Sequence, residues 1–187
     1  MEVITRIELE YRKQEFVEKI KAGAIFIYPT DTIYGIGCSA LRQRSVQKIR
    51  ELKGRQTAAL SIWVPSIDWI KKYCVISSKA EAWLEKLPGP YTLIIPLTEN
   101  HPLAKNVTPD KTIGVRLPDH WFQSIVKECG FPIITTSANK TGEQFMTSIE
   151  NLDHDLEREV EFMIYEGEKD ARPSKIVNVE EEDIKER

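Results

Sequence analysis

Tyr28-Pro29-Thr30-Asp31-Thr32-Ile33-Tyr34-Gly35-Ile36-Gly37 is the stretch on which the reading of this chain turns. Ala24-Ile25-Phe26-Ile27 precedes it, an apolar run of the kind that forms a buried strand. Pro29 brings no N–H to a ladder and marks the strand's end. Beyond it two threonines, an aspartate and a tyrosine crowd one turn, while Gly35 and Gly37 let backbone bend or approach something closely. Sheets in α/β proteins place ligands at strand ends of this type. An ordinary turn, with Asp31 bonding its own backbone, fits the same residues.

Upstream, residues 11–22 place Phe16, Val17 and Ile20 near one helical face, and Gly23 suits the helix end. Downstream, residues 42–52 repeat the pattern with Val46, Ile49 and Leu52. The opening unit is therefore helix, strand, polar turn, helix. Residues 60–64 and 93–97 read as strands, and 66–73 and 77–87 as helices capped by Ser66 and Ser77. Residues 1–9 suit a short edge strand, and Asp119 is placed to cap a helix over 121–129. The expected fold class is α/β: a twisted mixed β-sheet with packed helices and an open cleft. At 187 residues one domain is expected, over 1–187.

Three other stretches carry chemistry. Lys53-Gly54-Arg55 closes the second helix. Its cations can answer the helix dipole, or clamp a polyphosphate with a planar fork and a mobile point charge. Thr112-Ile113-Gly114-Val115-Arg116-Leu117-Pro118 is an apolar strand holding one arginine, which either an internal acid or a bound anion must answer. Thr135-Thr136-Ser137-Ala138-Asn139 ends another strand in hydroxyls, small donors suited to phosphate or ribose, or to a capping turn before Gly142. The chain offers no evident nucleophile–base pair and no Walker-type loop. What remains suits alignment and charge neutralisation.

The hydrophobic share of 41% and charged share of 29% are those of a globular chain, and the net charge of −3 gives no overall basic signal for nucleic acid. Cys38, Cys74 and Cys129 have no metal-ligand spacing and read as reduced cysteines of a cytoplasmic protein. No apolar run approaches membrane-span length, so no membrane partner is expected.

The stretch from Pro29 to Gly37 resembles the opening motif of the YrdC-type threonylcarbamoyl-AMP synthases. Lys53-Gly54-Arg55, Gly89-Pro90-Tyr91-Thr92, Gly114-Val115-Arg116-Leu117-Pro118 and Thr136-Ser137-Ala138-Asn139 are similar to that family's other motifs, in its order. The resemblance implies a YrdC-like fold and an L-threonylcarbamoyladenylate synthase, a nucleotidyltransferase. It would form threonylcarbamoyl-AMP and pyrophosphate from L-threonine, bicarbonate or CO2, and ATP, for the threonylcarbamoyladenosine modification of tRNA. Carried over residue by residue, it implies Lys53 and Arg55 as the catalytic cations. Arg55, Thr112, Ser137 and Asn139 would meet the nucleotide; Thr32, Arg116, Thr135 and Ser174 would meet the threonine. The resemblance implies ATP as a substrate with Mg2+ expected alongside it, and no metal site of the protein's own is evident. A tRNA-modifying transferase complex is the implied partner. Gln56-Thr57-Ala58-Ala59 departs from the family pattern, as do Lys175 and Asn178, and Arg187 stands where relatives have a nucleotide-side arginine.

The rival reading is an RNA-binding module using the same basic cleft, against which the net acidic chain without aromatic–basic interleaving weighs. A third, a subdomain of a larger maturation enzyme, meets no zinc-finger segment here.

Overall fold

Ten strands among the described residues, 1–169 and 172–185, join into one sheet in this computed structural model. In chain order they are β1 (Glu2–Ile4), β2 (Phe26–Pro29), β3 (Tyr34–Gly37), β4 (Ser61–Trp63), β5 (Tyr91–Pro96), β6 (Thr112–Arg116), β7 (Ile133–Ser137), β8 (Phe162–Ile164), β9 (Lys175–Asn178) and β10 (Asp183–Lys185). The helices are α1 (Arg6–Tyr11), α2 (Lys13–Ala22), α3 (Gln43–Lys53), α4 (Ile67–Tyr73), α5 (Ser78–Leu84), α6 (Gln123–Cys129) and α7 (His154–Glu159). The sheet order is β1-β8-β2-β3-β7-β4-β6-β5-β9-β10. Parallel pairs such as β4–β6 and β5–β9 alternate with antiparallel ones such as β3–β7 and β4–β7, giving the mixed sheet the sequence implies.

Period-two alternation splits the strands between two cores. Phe26 and Tyr28 on β2, Trp63 on β4 and Ile133 on β7 pack with Phe16, Val17 and Ile20 of α2 and Ile125 and Val126 of α6. Their neighbours Ile27, Ile62 and Ile134 point the other way, onto Val46 and Ile49 of α3, Ile70 of α4 and Leu84 of α5. Helices thus cover both faces, and the strands read as near-continuous apolar runs.

Several local expectations change. The first strand stops at Ile4, because Thr5 and Glu8 form a capping box that starts α1; Leu9 is helical. Asp119 does not cap α6, whose N-cap is Phe122 without a side-chain bond. The inward stripe of α3 is Val46, Ile49, Arg50 and Lys53, so two cations are buried while Leu52 is only half-buried. Gly23 ends α2 in the left-handed conformation, and Ser66 and Ser77 cap α4 and α5, as expected.

Candidate functional site

The turn between β2 and β3 is fastened by Thr30. Its Oγ1 accepts from the amides of Thr32 (3.1 Å) and Ile33 (3.2 Å) and donates to the Ile33 carbonyl at 2.7 Å. Thr32 Oγ1 lies 3.0 Å from the same hydroxyl. This is a hydroxyl-made turn, and it frees the Asp31 carboxylate for another partner.

That partner is Arg116, from the end of β6, whose Nη2 donates to Asp31 Oδ1 at 2.7 Å with both side chains about nine-tenths buried. The arginine is therefore answered by an internal acid. The pair meets by one prong: Arg116 Nε and Asp31 Oδ2 are buried without a hydrogen-bond partner. Burial raises the Asp31 carboxyl above its ordinary value and outweighs the lowering by the Arg116 and His120 charges. A buried ion pair whose desolvation exceeds its attraction is a usual outcome, so the pair is poor evidence for stability.

Beside this pair opens a cavity of about 250 Å³, with Arg116 in its wall. Thr32, Arg116, Thr135, Ser137 and Ser174 line it, so five of the residues expected from the sequence converge from four separate segments. Their neighbours Ser61 and Thr92 complete a floor of hydroxyls. Thr92 Oγ1 and Ser174 Oγ lie 2.8 Å apart, which ties β5 to the segment entering β9. Gly114 keeps this floor open: a Cβ there would come within 2.6 Å of Ser61 Oγ and 3.1 Å of Thr92 Cγ2. A second cavity, also about 250 Å³, lies around Ala138, Asn139, Glu143 and Gln144. Phe145 belongs to both walls.

The other expected residues lie outside the first cavity. Lys53 is buried, and its Nζ donates to the carbonyls of Ser137 and Asn139, both at 2.6 Å, and to Asn139 Oδ1 at 3.1 Å. It holds the loop after β7. Asn139 belongs to the second cavity, and its Nδ2 is spent on the carbonyls of Lys140 and Glu143, both at 2.8 Å. Thr112 shares a strand face with Arg116 but sits at the far end of β6, roughly 13 Å away at strand rise. Arg55 is half-buried at the start of the segment leading to β4. Arg187 falls outside the described residues.

Two groups escaped sequence reasoning. Arg50 is buried on α3 and, among the described residues, donates to main-chain carbonyls; its signal was a cation in phase with Val46. The segment after β8 straps the turn: Tyr34 Oη donates to the Gly167 carbonyl at 2.6 Å and accepts from the Glu166 amide at 3.1 Å, and Lys169 Nζ donates to the Thr30 carbonyl at 3.0 Å. Burial acts to raise the Glu166 carboxyl, but hydrogen bonds from His120, Lys169 and Trp121 overcome it and pull it down to about 2. His120 is thus half-buried against Glu166, 3.3 Å away.

Comparison with known proteins adds a family match over residues 18–185, to the Sua5/YciO/YrdC model described as "Telomere recombination". A Methanocaldococcus jannaschii protein is 34% identical over 97% of this chain and 88% of its own length. The threonylcarbamoyl-AMP synthase of Mus musculus is 33% identical over 72% of this chain, which spans 48% of it. Pyrococcus abyssi Sua5, solved in complex with L-threonine, superposes with a TM-score of 0.81 at 29% identity, covering 90% of this chain and 51% of that one. The chain spans about half the length of these last two proteins.

Proposed function

The chain belongs to the Sua5/YciO/YrdC family, and from that premise we propose that it is an L-threonylcarbamoyladenylate synthase acting on L-threonine, bicarbonate or CO2, and ATP. The carrying observation is the cavity in which Arg116 and a ring of hydroxyls meet. It has the size and donors for one small zwitterion. Arg116 would bind the threonine carboxylate, with Thr32, Thr135 and Ser174 accepting and donating around the ammonium and side-chain hydroxyl. The nucleotide would run past Phe145 into the second cavity, meeting Ser137 at the boundary.

The chemistry asks little of covalent catalysis. The threonine ammonium loses a proton, its nitrogen adds to CO2, and a second proton leaves to give the carbamate. A carbamate oxygen then attacks the α-phosphorus, the bond to the β-phosphate bridge breaks, and pyrophosphate departs with the electron pair. Alignment and cation placement supply the rate. Arg55, half-buried just past the end of α3, would meet the phosphates. Lys53 would contribute chiefly by fixing the Ser137–Asn139 backbone. Thr112 would reach the nucleotide only if it runs the length of β6. Among the described residues no group of three carboxylate, imidazole or thiol side chains could hold a metal, so Mg2+ would enter on the triphosphate, as part of the substrate. We place the reaction in the cytoplasm, consistent with three free buried cysteines; among the described residues no helix is long and apolar enough to cross a membrane. A transferase complex that modifies tRNA would consume the product.

An RNA-binding role is not favoured, because Lys53 and Arg116 are buried and bonded internally rather than displayed to phosphodiesters. The test is incubation with ATP, bicarbonate and amino acids. Pyrophosphate release that requires threonine is expected; release without it, or none, would overturn the assignment.

A further inference from the structure

We propose that Arg50 is a positioning residue that builds the backbone frame from which Arg55 meets the phosphates of ATP; this rests on the phosphate role of Arg55 proposed above. Arg50 is 3% exposed on the inward stripe of α3. Its guanidinium is spent on carbonyl oxygens. Nη1 donates to Arg55 (3.0 Å), Gln56 (3.2 Å) and Ala58 (2.8 Å); Nε donates to Asn106 (2.7 Å) and Nη2 to Val107 (3.1 Å). In return the Arg55 amide donates to the Arg50 carbonyl at 2.9 Å.

Three of the five accepting carbonyls belong to residues 55–58. That segment is neither helix nor strand, and no proline stiffens it before β4 begins at Ser61. Ser61 lines the cavity. Only a planar fork with five N–H donors can gather so many acceptors; an ammonium has three donors and no fixed plane.

The charge arrangement points the same way. Among the described residues no carboxylate pairs with Arg50 or Arg55. Burial lowers the Arg50 guanidinium from its ordinary value, and the nearby Arg55 charge lowers it further. Two unneutralised guanidiniums on one short segment disfavour each other until an anion arrives. The buried one cannot leave, since its donors hold the backbone, so the half-buried Arg55 is the one that answers a polyphosphate. Lys53, one turn on, does for residues 137–139 what Arg50 does for 55–58. The last turn of α3 thus organises two loops that flank the nucleotide.

The experiment compares Arg50→Lys, Arg55→Ala and the double variant in the intact chain, by steady-state kinetics with ATP and threonine varied separately. Arg50→Lys keeps charge and bulk, so it is the variant expected to fold. Raised ATP KM, roughly tenfold for a loss of order one charge-assisted contact, is expected for both single variants, with threonine KM within about twofold of wild type. The double variant should match Arg55→Ala, because Arg50 acts through Arg55; a general structural defect would add instead. Amide hydrogen exchange over residues 55–60 should quicken in Arg50→Lys, a readout independent of activity. If Arg55→Ala raises the ATP KM and Arg50→Lys changes neither it nor the exchange, the positioning role of Arg50 is overturned. If Arg55→Ala leaves the ATP KM unchanged, it is the phosphate role of Arg55 that fails, and this proposal with it.

Discussion

Replacing Lys53 by methionine removes one ammonium and little else, since methionine keeps the apolar stem in place. In the folded chain that ammonium donates at 2.6 Å to two carbonyls, those of Ser137 and Asn139. With Lys53 only 3% exposed, water cannot readily replace it. A buried acceptor left unsatisfied costs about 1–3 kcal/mol, so two give about 2–6 kcal/mol. Relief of the ammonium's own desolvation offsets part of this, which places the expected loss near the lower end, about 2–3 kcal/mol. A protein of ordinary stability, about 5–15 kcal/mol, stays folded under such a loss. Urea unfolding at neutral pH measures it: the midpoint should fall while the slope is unchanged. A shift below about 0.5 kcal/mol, the size of a surface substitution, would refute the claim that Lys53 holds the loop after β7.

Other perturbations probe the remaining parts of the site. Arg116→Ala strands a buried Asp31 and should cost about 3–5 kcal/mol near neutral pH. Because the Asp31 carboxyl already sits above its ordinary value, protonation favours the folded state. Loss of the Arg116 charge raises the carboxyl further, so the deficit should be full at pH above the variant's raised value and shrink as pH falls through it toward the ordinary aspartate range. The double variant Asp31→Asn, Arg116→Met should recover most of the loss in thermal unfolding; equal instability of single and double variants would show that the pair is not the cause. Gly37→Ala would press a Cβ against the Ile134 carbonyl oxygen and to 2.8 Å from the Tyr28 ring, forcing β3 away from β7. A loss of about 1–3 kcal/mol is expected from overpacking, and an unchanged melting temperature would count against that close approach.

Much of the site was legible because its residues are local and chemically marked. The threonine turn, Arg116 and the hydroxyls of residues 135–137 each stand out against apolar strands, and all three meet at the cavity. The partners of those residues are not marked in the sequence. Asp31 looked like part of its own turn, whereas Thr30 supplies the turn's fastenings and Asp31 reaches Arg116, 85 residues away. Lys53 reads as a cation answering the helix dipole or clamping a phosphate, yet its position on α3 turns it inward onto the carbonyls of Ser137 and Asn139. Arg50 passed unnoticed, since an arginine on a helix is ordinary until the carbonyls around it are known.

Sequence by itself determined the local units: the helix end at Gly23, the serine caps of α4 and α5, the buried strands, and the hydroxyl-rich strand ends. These depend on backbone freedom, capping groups and periodicity within a few residues, all written in the chain's own order. Tertiary structure alone decided which donor met which acceptor. Hydrogen bonds and ion pairs across β2–β3, β6 and β7 join residues tens of positions apart, and the polar atoms they satisfy are fixed only once the sheet order brings those segments together.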